Sequence, residues 1–287
     1  MADIFWRNEQ TGTNHGYFLE GASVKEGHPL PVVSPLWHPS TGDFDGDGIV
    51  DILWRHTVTG QNWLYLMNGA SVKQSNALNN VALDWTLAGT GDFNGDGVDD
   101  LLWHNQQTGV LWLYSLDGFD ILASQQVAKL SDTQWQIRAI ADLNGDGNDD
   151  VVWRHELTGK NWVYLLDGHQ IIASQPLNTV SNDWWLVGAG DFDGDGVDDL
   201  LWRHSSSGDN WIYFIKDAAV SKMEKINSAP AAWYIAQVDD FNGDEQDDIL
   251  WRNNETGVNY IYFMSGSKVT GQLLNTVADT SWRPVSN

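Results

Sequence analysis

Five stretches of the chain alternate acidic or amide side chains with other residues, and oxygen atoms at that spacing can wrap a single cation. In the first, Asp43, Asp45, Asp47 and Asp51 surround Gly48. The others place Asp92, Asn94, Asp96 and Asp100; Asp142, Asn144, Asp146 and Asp150; Asp191, Asp193, Asp195 and Asp199; and Asp240, Asn242, Asp244 and Asp248 at the same intervals. Side-chain oxygens at loop positions 1, 3, 5 and 9 are completed by a main-chain carbonyl at position 7, from Ile49, Val98, Asn148, Val197 or Gln246. This set suits Ca²⁺, which takes six to eight oxygens in flexible geometry, better than Mg²⁺, which demands a tight octahedron. Carboxylates this close repel one another unless a cation lies between them, which argues against a merely solvated acidic turn. No Glu stands at position 12 and strands flank the loop, so it is not an EF-hand. Position 6 is Gly in four loops and Glu245 in the fifth, where an unusual backbone angle is expected.

A second recurrent set mixes aromatic with planar polar side chains. Three segments pair Trp-Arg-His with Asn-Trp-x-Tyr: Arg55 and His56 with Asn62, Trp63 and Tyr65; Arg154 and His155 with Asn161, Trp162 and Tyr164; Arg203 and His204 with Asn210, Trp211 and Tyr213. A fourth has Arg252 with Asn259 and Tyr260, and the segment with His104 and Leu111 departs most. Strand alternation puts Trp63 and Tyr65 on one face and Asn62 on the other, with Arg55 pointing away from Trp54 and His56. An aromatic plane beside planar donors and acceptors is what a sugar requires. The same residues also fit a structural polar ladder, because buried Arg, His and Asn must each find partners. Trp54 and its counterparts read as filling between packed sheets.

The elements that position both sets repeat. The acidic loops start at Asp43, Asp92, Asp142, Asp191 and Asp240, at intervals of 49 or 50 residues. After each comes an apolar run such as Asp51-Ile52-Leu53-Trp54, a Thr-Gly or similar turn, a Trp/Tyr-rich run, a more polar run, and a segment such as Trp85-Thr86-Leu87-Ala88-Gly89 that leads into the next loop. Four short strands per unit, without sustained helical periodicity, predict an all-β fold: a six-bladed β-propeller of four-stranded antiparallel blades in a single domain spanning 1–287. A fragment of a larger ring is the alternative. Asp3-Ile4-Phe5-Trp6-Arg7 matches the second strand of a unit and Trp282-Arg283-Pro284-Val285 the first, so one blade is expected to be split between the two ends, closing the ring.

The loop followed by Ile-Leu-Trp-Arg resembles the FG-GAP/VCBS repeats of bacterial surface and secreted proteins, and the calcium loops of the integrin α-subunit propeller. The whole architecture also resembles propeller lectins of the Psathyrella velutina type. The resemblance implies structural calcium, about five sites here, an extracellular or cell-surface setting, and adhesion or ligand binding.

The charge balance, 15 Lys+Arg against 39 Asp+Glu for a net of −24, disfavours nucleic acid and anionic membranes, both of which need basic surface. No apolar run is long enough for membrane insertion as a helix. Cysteine is absent, so no disulfide staples the fold. The N-terminus, Met-Ala-Asp-Ile-Phe-Trp, does not read as a signal peptide. The expected function is a secreted, calcium-stabilised, multivalent carbohydrate-binding protein with glycan partners. A protein–protein adhesion module with a cell-surface partner is the alternative, and a polysaccharide lyase is less favoured. Catalysis wants one unique constellation, and every candidate here is repeated, so no enzyme and no catalytic residue are expected.

Overall fold

The computed structural model describes residues 3–285, and all the regular structure among them is strand. Blade 1 contains β1 (Ile4–Asn8), β2 (Asn14–Glu20) and β3 (Ser23–Leu30). Blade 2 contains β4 (Trp37–Gly42), β5 (Asp51–His56), β6 (Asn62–Asn68) and β7 (Ser71–Leu78). Blade 3 contains β8 (Trp85–Gly91), β9 (Asp100–Asn105), β10 (Val110–Asp117) and β11 (Asp120–Lys129). Blade 4 contains β12 (Trp135–Ala141), β13 (Asp150–His155), β14 (Asn161–Asp167) and β15 (Gln170–Pro176). Blade 5 contains β16 (Trp184–Gly190), β17 (Asp199–His204), β18 (Asn210–Lys216) and β19 (Ala219–Ile226). Blade 6 contains β20 (Trp233–Asp239), β21 (Asp248–Asn253), β22 (Val258–Ser265) and β23 (Lys268–Thr276). The last strand, β24 (Trp282–Val285), pairs antiparallel with β1 in the register Phe5↔Val285 to Asn8↔Trp282 and completes blade 1. The fold is thus an all-β six-bladed propeller with its first blade drawn from both ends of the chain, as the sequence predicts.

The blades group into two compact units, one of blades 1, 5 and 6 with Leu143–Gly145, the other of blades 2, 3 and 4. Within each unit the core lies between blades. Leu53 and Leu64 of blade 2 pack with Leu101 and Trp103 of blade 3, and Leu201 and Ile212 of blade 5 with Ile249 and Trp251 of blade 6. The strand period of 2 makes this possible. In blade 2 one face of the hairpin carries Leu53, Arg55 and Leu64 and the other Trp54 and Tyr65, and in the packed pairs unlike faces meet. Six Trp side chains, Trp6, Trp54, Trp103, Trp153, Trp202 and Trp251, are buried one to a blade. Each buries a large apolar area at a position where β-rich sequence favours an aromatic.

Candidate metal loops and the hairpin set

Each acidic loop joins the first strand of a blade to the second, and its own carboxylates fold it. The position-1 carboxylate accepts main-chain N–H groups from further along the loop: Asp43 from Asp47 (3.2 Å) and Gly48 (2.7 Å), Asp191 from Gly194 (2.7 Å), Asp195 (3.2 Å) and Gly196 (2.8 Å). The position-5 carboxylate takes the position-7 N–H, as Asp47 does from Ile49 at 3.0 Å and Asp96 from Val98 at 2.9 Å. Glycines give the left-handed turns these bonds require, with φ of 68° at Gly46 and 79° at Gly48. Glu245 adopts φ 66°, so the fifth loop keeps the shape despite its side chain and carries the strain the sequence leads one to expect.

The position-9 carboxylate is the root of each loop. Asp51, Asp100, Asp150, Asp199 and Asp248 are all buried. Each accepts a main-chain N–H from the third strand of its blade, from Met67 (2.7 Å), Leu116 (3.0 Å), Leu166 (2.9 Å), Ile215 (2.8 Å) and Met264 (2.8 Å). Burial raises these carboxyls, Asp51, Asp100 and Asp248 to about 7 and Asp199 to about 8, with the neighbouring loop carboxylates adding to the rise. Carboxylate oxygens of Asp43, Asp45 and Asp51 lie within 4.8 Å of one another, as do those of Asp191, Asp193 and Asp195. Asp45 Oδ1 and Asp199 Oδ2 are buried without a hydrogen-bond partner. Convergent carboxylates with orphaned, buried oxygens fit a hard cation. The residues that would hold it are the position-1, 3, 5 and 9 side chains already named.

The loops do a second job that the sequence reading missed. Asp43 N–H donates to Asp99 Oδ2 at 2.8 Å, Asp92 N–H to Asp149 Oδ2 at 2.9 Å, and Asp191 N–H to Asp247 Oδ2 at 2.9 Å. The main chain returns the bond, Asp99, Asp149 and Asp247 N–H donating to the carbonyls of Asp43, Asp92 and Asp191 at 2.7 Å. The acceptor is the position-8 Asp of the following blade. Gly118, Gly168 and Gly266 N–H, in the last hairpin turn of that blade, donate to the carbonyls of Phe44, Phe93 and Phe192, each at 2.7 Å. These Phe rings are fully buried at position 2 and anchor the loop. Every loop so described is a staple to its neighbour. The signal was present as a recurrent eighth-position Asp, paired one blade earlier with a strand ending in Gly. A Cβ on Gly42, Gly91 or Gly190 would stand 2.7, 2.3 or 2.4 Å from the Oδ2 of Asp99, Asp149 or Asp247. At Asp240 the strand ends in Asp239, and Asp239 Oδ1 itself accepts the Asp240 N–H at 2.9 Å. By repeat spacing, the matching eighth position is Ala2, outside the described residues.

The hairpin set divides. Arg55 donates to Asn62 Oδ1 (3.2 Å) and to the carbonyls of Gly60 (3.4 Å), Val81 (3.1 Å), Ala82 (3.1 Å) and Trp85 (3.0 Å), with its guanidinium 4.7 Å from the Trp103 ring centre. Arg203 repeats this on Asn210 Oδ1, Gly208, Ala229, Pro230 and Trp233, stacked on Trp251, and Arg252 on Asn259 Oδ1, Gly257, Val277 and Asp279, stacked on Trp6. Arg154 is buried and bonds Gly159 and Asn161 Oδ1 in the same way. The Asn amides are spent too: Asn62, Asn210 and Asn259 Nδ2 donate to the carbonyls of Asn79, Asn227 and Asn275. The expectation that Arg and Asn offer planar donors to a ligand is therefore corrected, because the chain's own carbonyls take them. Blade 3 shows the logic by substitution, for there Arg and Asn are replaced together by buried His104, edge-on to Trp153 at 5.4 Å, and Leu111.

His56, His155 and His204 cap the hairpin turn. Nδ1 accepts the N–H groups of Val58 and Thr59, of Leu157, and of Ser206 and Ser207. Asn8, Asn105 and Asn253 do the same with Oδ1. What remains open is one aromatic position per blade: Trp63, which is 39% exposed, and half-buried Trp112, Trp162, Trp211 and Tyr260, with His15 in blade 1. Tyr65, Tyr164 and Tyr213 lie behind them, half-buried, against Trp54, Trp153 and Trp202.

Models of the FG-GAP-like repeat match residues 43–103, 92–153 and 142–202, more than half of the chain. The chain belongs to the FG-GAP-like repeat family. No curated protein sequence matches it. Among solved structures, this FG-GAP-like propeller is similar to a chain of a nidogen/laminin complex, at 13% identity and TM-score 0.64 over 99% of this chain and 96% of the other. It is similar also to an Agrocybe aegerita lectin described as recognising non-reducing terminal N-acetylglucosamine, at 13% identity and TM-score 0.65 over 97% and 80%. At that identity the likeness shows the fold alone.

Proposed function

We propose that this FG-GAP-like propeller is a secreted or cell-surface, non-enzymatic, multivalent carbohydrate-binding protein whose blades are braced by calcium in the acidic loops. The observation that carries the sugar reading is the aromatic side chain left partly open at one register in every blade. A flat π-face takes the C–H face of a pyranose, and hydroxyl groups stand close by, with Trp112 and Trp162 Nε1 bonded to Ser124 Oγ (2.9 Å) and Ser174 Oγ (2.7 Å). Several weak equivalent sites on one rigid scaffold gain avidity on a glycosylated surface. The described likeness to a lectin is consistent with this and does not choose the sugar.

The protein-adhesion reading rests on a different observation. Leu122 and Ile172, at matching positions of adjacent blades 3 and 4, are 64% and 53% exposed, an apolar asymmetry that a repeated sugar site does not need.

The test is a glycan array in calcium, followed by calorimetric titration of any hit into the wild type and into Trp63→Ala, Trp162→Ala and Trp211→Ala. Binding with several sites per chain, lost stepwise with the Trp residues, is expected. An empty array and flat titrations, with capture of one protein that sugars do not compete and that Leu122→Asp weakens, would decide for adhesion.

A further inference from the structure

In the first acidic loop a lysine pairs directly with the carboxylates, whereas Lys222, near Asp193 of the fourth loop, pairs with Glu224. Lys73 Nζ lies 3.0 Å from Asp45 Oδ2 and 2.9 Å from Asp47 Oδ2, on two of the four carboxylates of the first loop. A β-bulge puts it there. In the β6–β7 pairing Met67 faces Val72 and Leu66 faces Gln74, so Lys73 is the extra residue, and a bulge re-aims the side chain it adds. The same bulge recurs in blades 3, 4 and 5, where the extra residue is Leu122, Ile172 or Ser221. None of those can bring a charge to its loop. Blade 6 has Thr270 at the matching sequence position. Lys25, the extra residue in blade 1, pairs with Glu20.

We propose that Lys73 is a built-in competitor for the metal of the first loop: its ammonium holds Asp45 and Asp47 together when the loop is empty and must be expelled when Ca²⁺ enters. This rests on the reading of the loops as calcium sites. One ammonium cannot replace a divalent ion, since it brings half the charge and three donors where the loop offers a near-complete oxygen shell. It does offset the mutual repulsion of the carboxylates in the metal-free loop. The first loop is accordingly a gated site, filling at higher calcium than it would without Lys73, and the extra bulge residues of blades 3, 4 and 5 carry no charge that would have to be displaced. Asp45 Oδ1, buried and without a hydrogen-bond partner beside the Lys73 ion pairs, is the atom left for metal to claim.

Lys73 therefore acts with opposite signs on the two states, and that separates it from an ordinary surface ion pair. The experiment is calorimetric titration of Ca²⁺ into metal-stripped wild type and Lys73→Met, with melting curves of both stripped proteins. Lys73→Met is expected to tighten one site about tenfold, a free-energy change of an exposed double ion pair plus the cation–cation repulsion it removes, while lowering the melting temperature of the stripped protein. A companion variant, Leu122→Lys, places the same charge at the second loop and is expected to weaken one site; it keeps the test informative if stripped Lys73→Met fails to fold. Unchanged titrations for both variants, with the wild type binding several ions, would overturn the role of Lys73 and leave the calcium sites standing. No heat of binding and no calcium-dependent melting in any of the three would overturn the calcium reading itself and the competitor with it.

Discussion

The two ends of the second strand of a blade solve one problem with opposite charges. At its start, β5 carries Asp51 and the acidic loop; near its end it carries Arg55 and the hairpin turn. At both ends a buried or half-buried ionic side chain gathers main-chain groups that no ladder satisfies, and at both ends this ties a blade to its neighbour. The arginine is matched. Its guanidinium donates to four carbonyls and an amide oxygen and stacks on the next blade's Trp103, and the protein leaves little of its donor capacity unused. The carboxylates are not matched. They accept main-chain N–H groups from both blades, yet buried oxygens remain at Asp45 and Asp199, and several negative charges remain within a few ångströms. A closed polar network is structure; an open one asks for a ligand. Of the two ionic ends, the loop end is therefore the one whose polar network a cation would complete.

The largest expected effect breaks the open end. If calcium completes the loops, its removal takes away binding energy that only the folded chain enjoys, about 4 kcal/mol per site at a thousandfold excess over Kd. Chelation should lower the melting temperature by well over 10 °C, read by differential scanning fluorimetry in calcium against chelator. Equal curves would mean that the loops close without metal. The next effect breaks the matched end. Arg252 is 1% exposed, and Arg252→Ala strands the carbonyls of Gly257, Val277 and Asp279, at a cost of roughly 3–5 kcal/mol. Blade 3 supplies the rescue. The double change Arg203→His with Asn210→Leu, copying His104 and Leu111, should cost less in urea unfolding than the sum of the two single changes. Additivity would show that Arg203 and Asn210 are not one unit.

The comparison also marks what the sequence can disclose. The repeat, the blade count, the split first blade and the recurrence of the acidic loop were all legible, because each depends on spacing alone. The unusual angle at Glu245 was legible too, since a left-handed angle is a local requirement. The hairpin set was legible as a set but not as to its use. Alternation places Arg55 on the face away from Trp54 and Trp63, and only packing shows that this face brings Arg55 onto Trp103 of the next blade. Contacts between units lie outside any local rule. For the same reason the role of the position-8 carboxylates is not legible: Asp99 looks like a spare acid beside Asp100 until its partner, Asp43 N–H, is seen one repeat back. Lys73 was hidden by a bulge, a register slip that period-2 reading does not anticipate.

A smaller effect probes the staple at the loop end. Gly42 has no Cβ because Asp99 Oδ2 would lie 2.7 Å from one. Gly42→Ala should push that carboxylate off the Asp43 N–H and cost about 1–3 kcal/mol, measured by chemical denaturation in saturating calcium. Adding Asp99→Ala to it should recover part of the steric cost but not the lost bond. Full recovery would show that the staple contributes nothing.

The smallest expected effect is one of pH, and its sign depends on the metal. In metal-free buffer the buried carboxyls of Asp51 and Asp248 sit at about 7 and that of Asp199 at about 8, because burial penalises their charge and nearby carboxylates add to it. Their unfolded values lie near 4, so between those limits the folded chain holds protons that the unfolded chain releases. That contribution is fully present below about pH 4 and is lost as pH rises through 7 to 8. Stripped protein should therefore melt a few degrees higher at pH 5 than at pH 8. The general acidity of the chain pushes the same way, so the decisive comparison is Asp199→Asn, which cannot take up the proton and should flatten the slope. In saturating calcium the carboxylates must be ionised to bind, acid competes with the metal, and the order of the two melting temperatures should reverse. A slope of the same sign in both conditions would place the raised carboxyls outside the metal's shell and leave the loops as staples alone.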